Sequence, residues 1–172
     1  KAITEAILNV HHHAYVRTRL NHLPKKWWLS VSYDEKIHEL GLIVYDHGVG
    51  IPESMKHSTL FKTFKSKLHE IYGFKRWGDK ERLKIAFDRN APWRNPRLVR
   101  QANLPRGRGR GHGCGDILRL VLACSSSRKG RMTVSSGYAR YDYSSETGTH
   151  VDMAKVLTQK LEGTLIEWKV KL

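Results

Sequence analysis

The sequence has few of the residues that staple or anchor a chain. Its 2 cysteines, Cys114 and Cys124, are too few for a disulfide scaffold or a thiolate zinc site. Ten residues apart on one predicted helix, they also make a poor bridge. A reducing, cytoplasmic setting is the resulting expectation. No run approaches the roughly 18 apolar residues of a membrane-spanning helix. The start, Lys1-Ala2-Ile3-Thr4, has neither a secretory apolar core nor an initiator Met, so it is expected to lie inside a longer chain. Acid is scarce as well, with 16 Asp and Glu against 31 Lys and Arg, a net charge of +15 that favours polyanionic partners such as nucleotides or nucleic acid. No Gly-Lys-Ser/Thr follows the glycines and no three of them fit G-x-G-x-x-G, which excludes the P-loop and the dinucleotide fingerprint.

What is present is enough for a real core: 172 residues, 40% of them apolar, read as a single domain. The charge is concentrated. Residues 53–110 hold 16 Lys and Arg against 5 acids, a surplus of 11 out of the total of 15. Within that stretch Leu60, Phe61, Phe64, Leu68 and Ile71 recur at helical spacing, as do Leu83, Ala86 and Phe87, while Pro92, Pro96 and Pro105 break up the remainder. It reads as a basic helical insertion.

On either side the periodicities are cleaner. Residues 1–20 form an amphipathic helix with Ile3, Ala6, Ile7, Val10 and Ala14 on one side and Glu5, Asn9, His12 and His13 on the other. Residues 27–33 alternate and residues 41–45 are an apolar run ending at Asp46, so both read as strands. After a glycine-rich stretch, Ile117, Leu118, Leu120, Val121 and Ala123 mark a buried helix, and residues 131–136, 138–143 and 164–172 read as strands. In the last of these Thr164, Ile166, Trp168, Val170 and Leu172 share one face. The order helix, two strands, helical insertion, helix, three strands implies an α+β fold, a two-layer sandwich with a mixed, largely antiparallel sheet and helices on one face.

Three local patterns carry chemistry. Glu5 and Asn9 lie one helical turn apart, where they can jointly address a metal-bound phosphate and an attacking water; the plain alternative is a solvated helix face. His11, His12 and His13 diverge around a helix and cannot converge on one ion, but His13 shares the face of Asn9. Asp46-His47-Gly48-Val49-Gly50-Ile51-Pro52 ends a strand with a carboxylate able to accept from an exocyclic amine, or is simply a tight turn. Gly107, Gly109, Gly111, Gly113 and Gly115 alternate with Arg106, Arg108, Arg110 and His112 before a helix. That arrangement suits backbone N–H contacts to phosphate, or else an arginine-glycine RNA-binding tract.

Taken together and in order, Thr4-Glu5-Ala6-Ile7-Leu8-Asn9 through Tyr15, Asp46-x-Gly48-x-Gly50-Ile51-Pro52, Gly109-x-Gly111-x-Gly113 and Gly163-Thr164 resemble the GHKL (Bergerat-fold) ATPase and kinase superfamily. The spacing is most similar to the anti-sigma-factor kinases and free-standing histidine-kinase-like ATP-binding proteins. The resemblance implies ATP and Mg2+ as ligands, Glu5 as general base and Asn9 as the magnesium ligand. It further implies Asp46 as the adenine-reading carboxylate, with Gly48, Gly50 and Ile51 shaping the pocket. Gly109, Gly111 and Gly113 would hinge a lid, Arg108 and Arg110 would neutralise phosphate charge, His13 would face the site, and Thr164 would lie in the adenine-side water network. The activity implied is ATP hydrolysis or phosphoryl transfer to a protein, with a protein substrate or partner domain. The alternative is a nucleic-acid-binding module, or an ATP-gated clamp, whose basic insertion with Trp77, Phe87 and Trp93 grips a phosphate backbone.

Overall fold

The computed structural model describes residues 2–15, 25–104, 113–123, 129–145 and 151–172. Helix α1 (Ala2–Asn9) continues into a π-helical segment, Val10–Ala14. Strands β1 (Trp27–Asp34) and β2 (Glu39–Asp46) follow. Next come α2 (Ile51–His57), α3 (Thr59–Tyr72), α4 (Asp79–Phe87), a 3-10 turn at Pro92–Arg94 and α5 (Pro96–Gln101). Helix α6 (Gly113–Ala123) leads to β3 (Gly130–Ser144) and β4 (Val151–Lys171). The fold is α+β, as the element pattern predicts. Among the described residues no helix is long and apolar enough to cross a membrane.

The sheet order is β1-β2-β4-β3 and every pairing is antiparallel, so the mixed sheet expected from sequence is antiparallel throughout the described strands. β3 doubles back on itself. The Ser145 N–H donates to the Gly130 carbonyl at 2.9 Å and the Thr133 hydroxyl bonds Asp142 at 3.0 Å, which folds the span into a hairpin with Gly137 and Tyr138 at its tip. Gly137 has φ +60°, the conformation a two-residue hairpin loop asks of glycine. The arms of that hairpin correspond to the expected strands 131–136 and 138–143. β4 flanks both arms: Val151–Val156 pair with Ala139–Ser144, and Thr164–Val170 pair with Gly130–Ser136. The stretch 151–156 is a pairing that sequence periodicity does not reveal.

Alternation then decides which face is core. Leu42, Val44 and Asp46 of β2, Thr164, Ile166, Trp168 and Val170 of β4, and Met132, Val134, Tyr141 and Tyr143 of β3 are all buried on one face. Among the described residues, helices cover that face alone, with Ala6 of α1, Leu83, Ala86 and Phe87 of α4, and Ile117, Leu118 and Val121 of α6 in the same cluster. Leu172, at the end of the alternation, is exposed rather than core. β1 is exposed along its whole length.

The basic insertion has its own cluster, built from Phe61, Phe64, Leu68, Ile85, Ala91 and Trp93. α4 belongs to both, because Leu83, Ala86 and Phe87 face the sheet while Ile85 faces the second cluster. Residues 79–87, expected as part of an insertion, are therefore a structural layer of the sandwich. Ile71, expected on the apolar stripe of α3, is exposed. Pro92 and Pro96 break the stretch as expected, each opening a short helical turn, where a missing N–H leaves no bond unmade; Pro105 lies outside the described residues.

Gly163 has φ +87°, and a side chain there would collide with the Asp46 backbone carbonyl. Gly73 has φ +61° but open space around it. Replacing Gly73 by Ala is expected to destabilise by about 1 kcal/mol. For Gly163→Ala the expected loss is about 3 kcal/mol or more, because strain and a backbone clash combine. Denaturant unfolding of the two variants gives the comparison; equal losses would show that the close approach of β2 and β4 at Gly163 is not rigid.

Candidate functional site

The Asp46 carboxylate sits at the last residue of β2 and is only 6% exposed. Its Oδ1 accepts from the Gly48 N–H at 2.8 Å, and the backbone N–H of Thr164 also favours the carboxylate. Burial outweighs these bonds and pushes its pKa up to about 6. Behind Thr164 stands Ser136. Its hydroxyl accepts from the Ile51 N–H at 2.9 Å, donates to the Gly163 carbonyl at 2.8 Å and lies 3.1 Å from the Thr164 hydroxyl. Three strands and the start of α2 thus meet at one polar knot, with Asp46 as its only buried charge among the residues named.

Glycines let that knot close. A side chain at Gly48 would strike Ala14, and one at Gly50 (φ +81°) would come within 2.6 Å of the Ser136 hydroxyl and 2.9 Å of the Gly163 carbonyl. The Asp46–Ile51 turn is therefore pressed onto the end of the π-helical segment, where the Val49 N–H donates to the Ala14 carbonyl at 2.8 Å. The glycines at 48 and 50 serve close backbone approach, which the D-x-G-x-G spacing alone leaves open.

One turn before the end of the π-helical segment, Asn9 reaches α6. Its carboxamide lies against Gly113, where a Cβ would sit 2.9 Å from Oδ1, and its Nδ2 is buried without a hydrogen-bond partner. Glu5 is half-buried one turn further back on the same helix. A single helix thus presents Asn9 to the first turn of α6 at one point and Ala14 to the Asp46 turn at another. The expected Glu5, Asn9, Asp46, Gly48, Gly50, Ile51, Gly113 and Thr164 fall on these joined elements. The side chain of His13, and the whole of Arg108, Gly109, Arg110 and Gly111, lie outside the described residues.

The donor set suits a hard, oxygen-seeking cation. Asn9 offers a carboxamide oxygen and Glu5 a carboxylate, and no cluster of three or more His, Cys, Asp or Glu occurs among the described residues. A magnesium ion fits that pattern, since it takes one or two protein oxygens and completes its shell from phosphate and water. The aromatic residues expected to stack on nucleic acid are differently placed. Phe87 and Trp93 are core residues, and Trp77 packs edge-on against Phe61 and Phe74 at 5.3 Å each.

Ser136 was not singled out by sequence reasoning, because its partners Ile51, Gly163 and Thr164 are distant in the chain. Neither models of known protein families nor characterised proteins match this chain.

A carboxyl with its folded pKa raised binds its proton more tightly in the folded state, so its contribution is favourable at low pH and is lost as pH rises. The window runs from the ordinary value of 3.8 to about 6. Asp46→Asn removes that titration. The melting temperature of the variant relative to wild type is expected to rise across this window and level off above pH 7, a swing on the order of 3 kcal/mol. A flat difference from pH 4 to 8 would show that the carboxylate is solvated.

Proposed function

We propose that the chain is a GHKL-type Mg-ATP-binding domain that hydrolyses ATP or transfers its γ-phosphoryl group to a protein. The observation that carries this reading is the buried Asp46 carboxylate, held by Gly48 and Thr164 on a turn locked to the same helix that carries Asn9 and Glu5. Burying an acid against its own solvation is unusual in a plain turn, and perturbed carboxyls of this kind concentrate at functional sites.

Within this reading Asp46 accepts from the exocyclic amine of adenine, and Thr164 and Ser136 hold its carboxylate at a fixed angle. Asn9 holds magnesium, which when bound neutralises phosphate charge. Glu5, one turn away, takes the proton from a water or a protein hydroxyl as that oxygen attacks the γ-phosphorus, whose bond to the β,γ-bridging oxygen breaks so that ADP leaves with the electron pair. The identity of the nucleophile separates hydrolase from kinase.

The second reading is a nucleic-acid-binding surface on the basic insertion. α3 presents Lys62 and Lys65 to solvent, which supports the charge half of that reading, while burial of Phe87 and Trp93 removes most of its stacking half. A steep salt dependence of RNA or DNA affinity that persists without nucleotide would favour it.

Calorimetric titration tests the main reading. Asp46→Asn is expected to weaken ATP by about 30-fold or more, on the order of 2 kcal/mol, and GTP much less, because the new amide donates where the base needs an acceptor. Equal losses for ATP and GTP would make Asp46 a turn residue. Glu5→Ala should retain ATP affinity while turnover falls by ~10² to 10⁴, whereas Asn9→Ala should lose the magnesium dependence of binding. Wild-type turnover in Glu5→Ala would remove the catalytic assignment.

A further inference from the structure

β1 is an edge strand with no neighbour on its outer side among the described residues. In the sheet order β1-β2-β4-β3 it pairs with β2 alone, and that register runs from Trp27 to Asp34 without a bulge. Every second residue of such a strand turns its N–H and carbonyl away from the sheet. Edges are ordinarily blunted by Lys, Pro or a bulge, or are kept short. Residues 27–33, Trp-Trp-Leu-Ser-Val-Ser-Tyr, hold no charge, no Pro and no Gly.

The side chains are as open as the backbone. Trp27, Leu29, Val31 and Tyr33 stand opposite Asp46, Val44, Leu42 and Leu40, so they continue the helix-covered face of the sheet. Asp46, Val44 and Leu42 are buried, whereas all four β1 residues are exposed. The helices explain the difference, since α1 packs on β2, α4 on β3 and β4, and α6 on β3. On the other face Trp28 stacks on Tyr45 at 5.4 Å and is exposed as well.

The strand's own sequence indicates what fits beside it. A two-fold axis joins β1 to a second β1 antiparallel, and residues placed opposite each other must share a face, so their numbers sum to an even value. Centred on Ser30, this sets Leu29 against Val31, Trp27 against Tyr33 and Lys26 against Asp34, each twice, with Lys25 and Glu35 next in line. Centred on Val31, it sets Lys26 against Lys36 and Trp27 against Glu35; centred on Leu29, it sets Lys26 against Ser32 and Lys25 against Tyr33. The Ser30 register alone of these three matches both the apolar and the charged positions. Its two charges are also fixed at the strand ends. The Tyr15 hydroxyl donates to the Lys26 carbonyl at 2.9 Å and accepts from its N–H at 3.3 Å, and Asp34 Oδ1 accepts from the Lys36 and Ile37 N–H groups at 2.9 and 3.4 Å.

We infer that β1 is a homodimer seam, in which two copies of the chain pair β1 to β1 about an axis through Ser30. The described strands then form one eight-stranded antiparallel sheet with both helix layers on the same side. Self-complementary charge at the two ends of the strand favours a second copy over a strand of another protein, because an isologous contact demands it. The seam does not depend on the nucleotide reading.

Sedimentation of the chain over roughly 1 to 100 μM is expected to show a reversible monomer–dimer equilibrium. Val31 is 60% exposed, so Val31→Lys should keep the monomer folded by circular dichroism while weakening the dimer 10-fold or more. Ser30→Cys should give an intermolecular disulfide through position 30 on mild oxidation, identified by peptide mass. Ser32→Cys should not, because it would lie about 13 Å along the strand from its own copy. A chain that stays monomeric overturns the seam and leaves the edge to a strand of different origin. A dimer undiminished in folded Val31→Lys overturns it as well, and equal disulfide yields at positions 30 and 32 overturn the register. Should Val31→Lys not fold, the two cysteine variants decide.

Discussion

The buried carboxylate of Asp46 constrains everything around it. A charge with 6% exposure survives only where donors reach it, and its donors come from segments far apart in the chain: Gly48 just beyond β2, and Thr164 on β4. Thr164 is in turn fixed by Ser136 on β3, and Ser136 also receives the first N–H of α2. Gly50 and Gly163 lack side chains where one would push these segments apart. The central sheet pairing, the β3 hairpin and the entry to α2 therefore converge on one polar contact at the end of β2.

The second organising feature is α4. Its sheet-facing residues complete the main core, where Phe87 stacks on Tyr141 at 4.8 Å, and its opposite face anchors the cluster under α3 and α5. At its start, Asp79 accepts from the Tyr138 N–H at the hairpin tip, and near its end Ala86 accepts from Arg94. The same helix thus touches the hairpin that carries Ser136 and the arginine that packs on Gly115 of α6. Deleting the insertion outright would unroof part of the sheet, so its role is better probed by point substitutions.

Much of the fold is legible from period and spacing. The alternation Thr164, Ile166, Trp168 and Val170 marks a one-sided strand because burial on a sheet repeats every second residue, and all four are buried. The break at Gly137 separates two expected strands because the chain does reverse there. Periodicity cannot register what long-range pairing creates. Residues 151–156 become strand by lying beside Ala139–Ser144, and Ser136 matters through partners up to 85 positions away. Charge counting over residues 53–110 likewise hides that Phe87 and Trp93 face inward, and that Arg94 points away from its own cluster. The π-helical form of Val10–Ala14 is a further departure from the single α-helix expected, and residues 16–20 of that helix lie outside the described ones.

The two ends of the candidate site make opposite chemical demands. At the Asp46 end the unmet need is for a neutral donor, since a carboxylate already bonded by Gly48 and Thr164 keeps acceptor capacity and its burial disfavours bulk water. At the α6 end the need is for an anion, because an unpartnered carboxamide N–H and a helix dipole both present positive charge to the same turn. α1 and its π-helical extension tie the two ends, Asn9 at one and Ala14 at the other, over a rise of about 6–8 Å. A free phosphate satisfies only the second demand, and a nucleic acid gripped from outside satisfies neither buried group. Under the proposed Mg-ATP reading, a mononucleotide with a donor on its base and a polyphosphate at its other end is the ligand that would meet both. That division of chemistry favours the nucleotide reading over a basic surface that merely attracts polyanions.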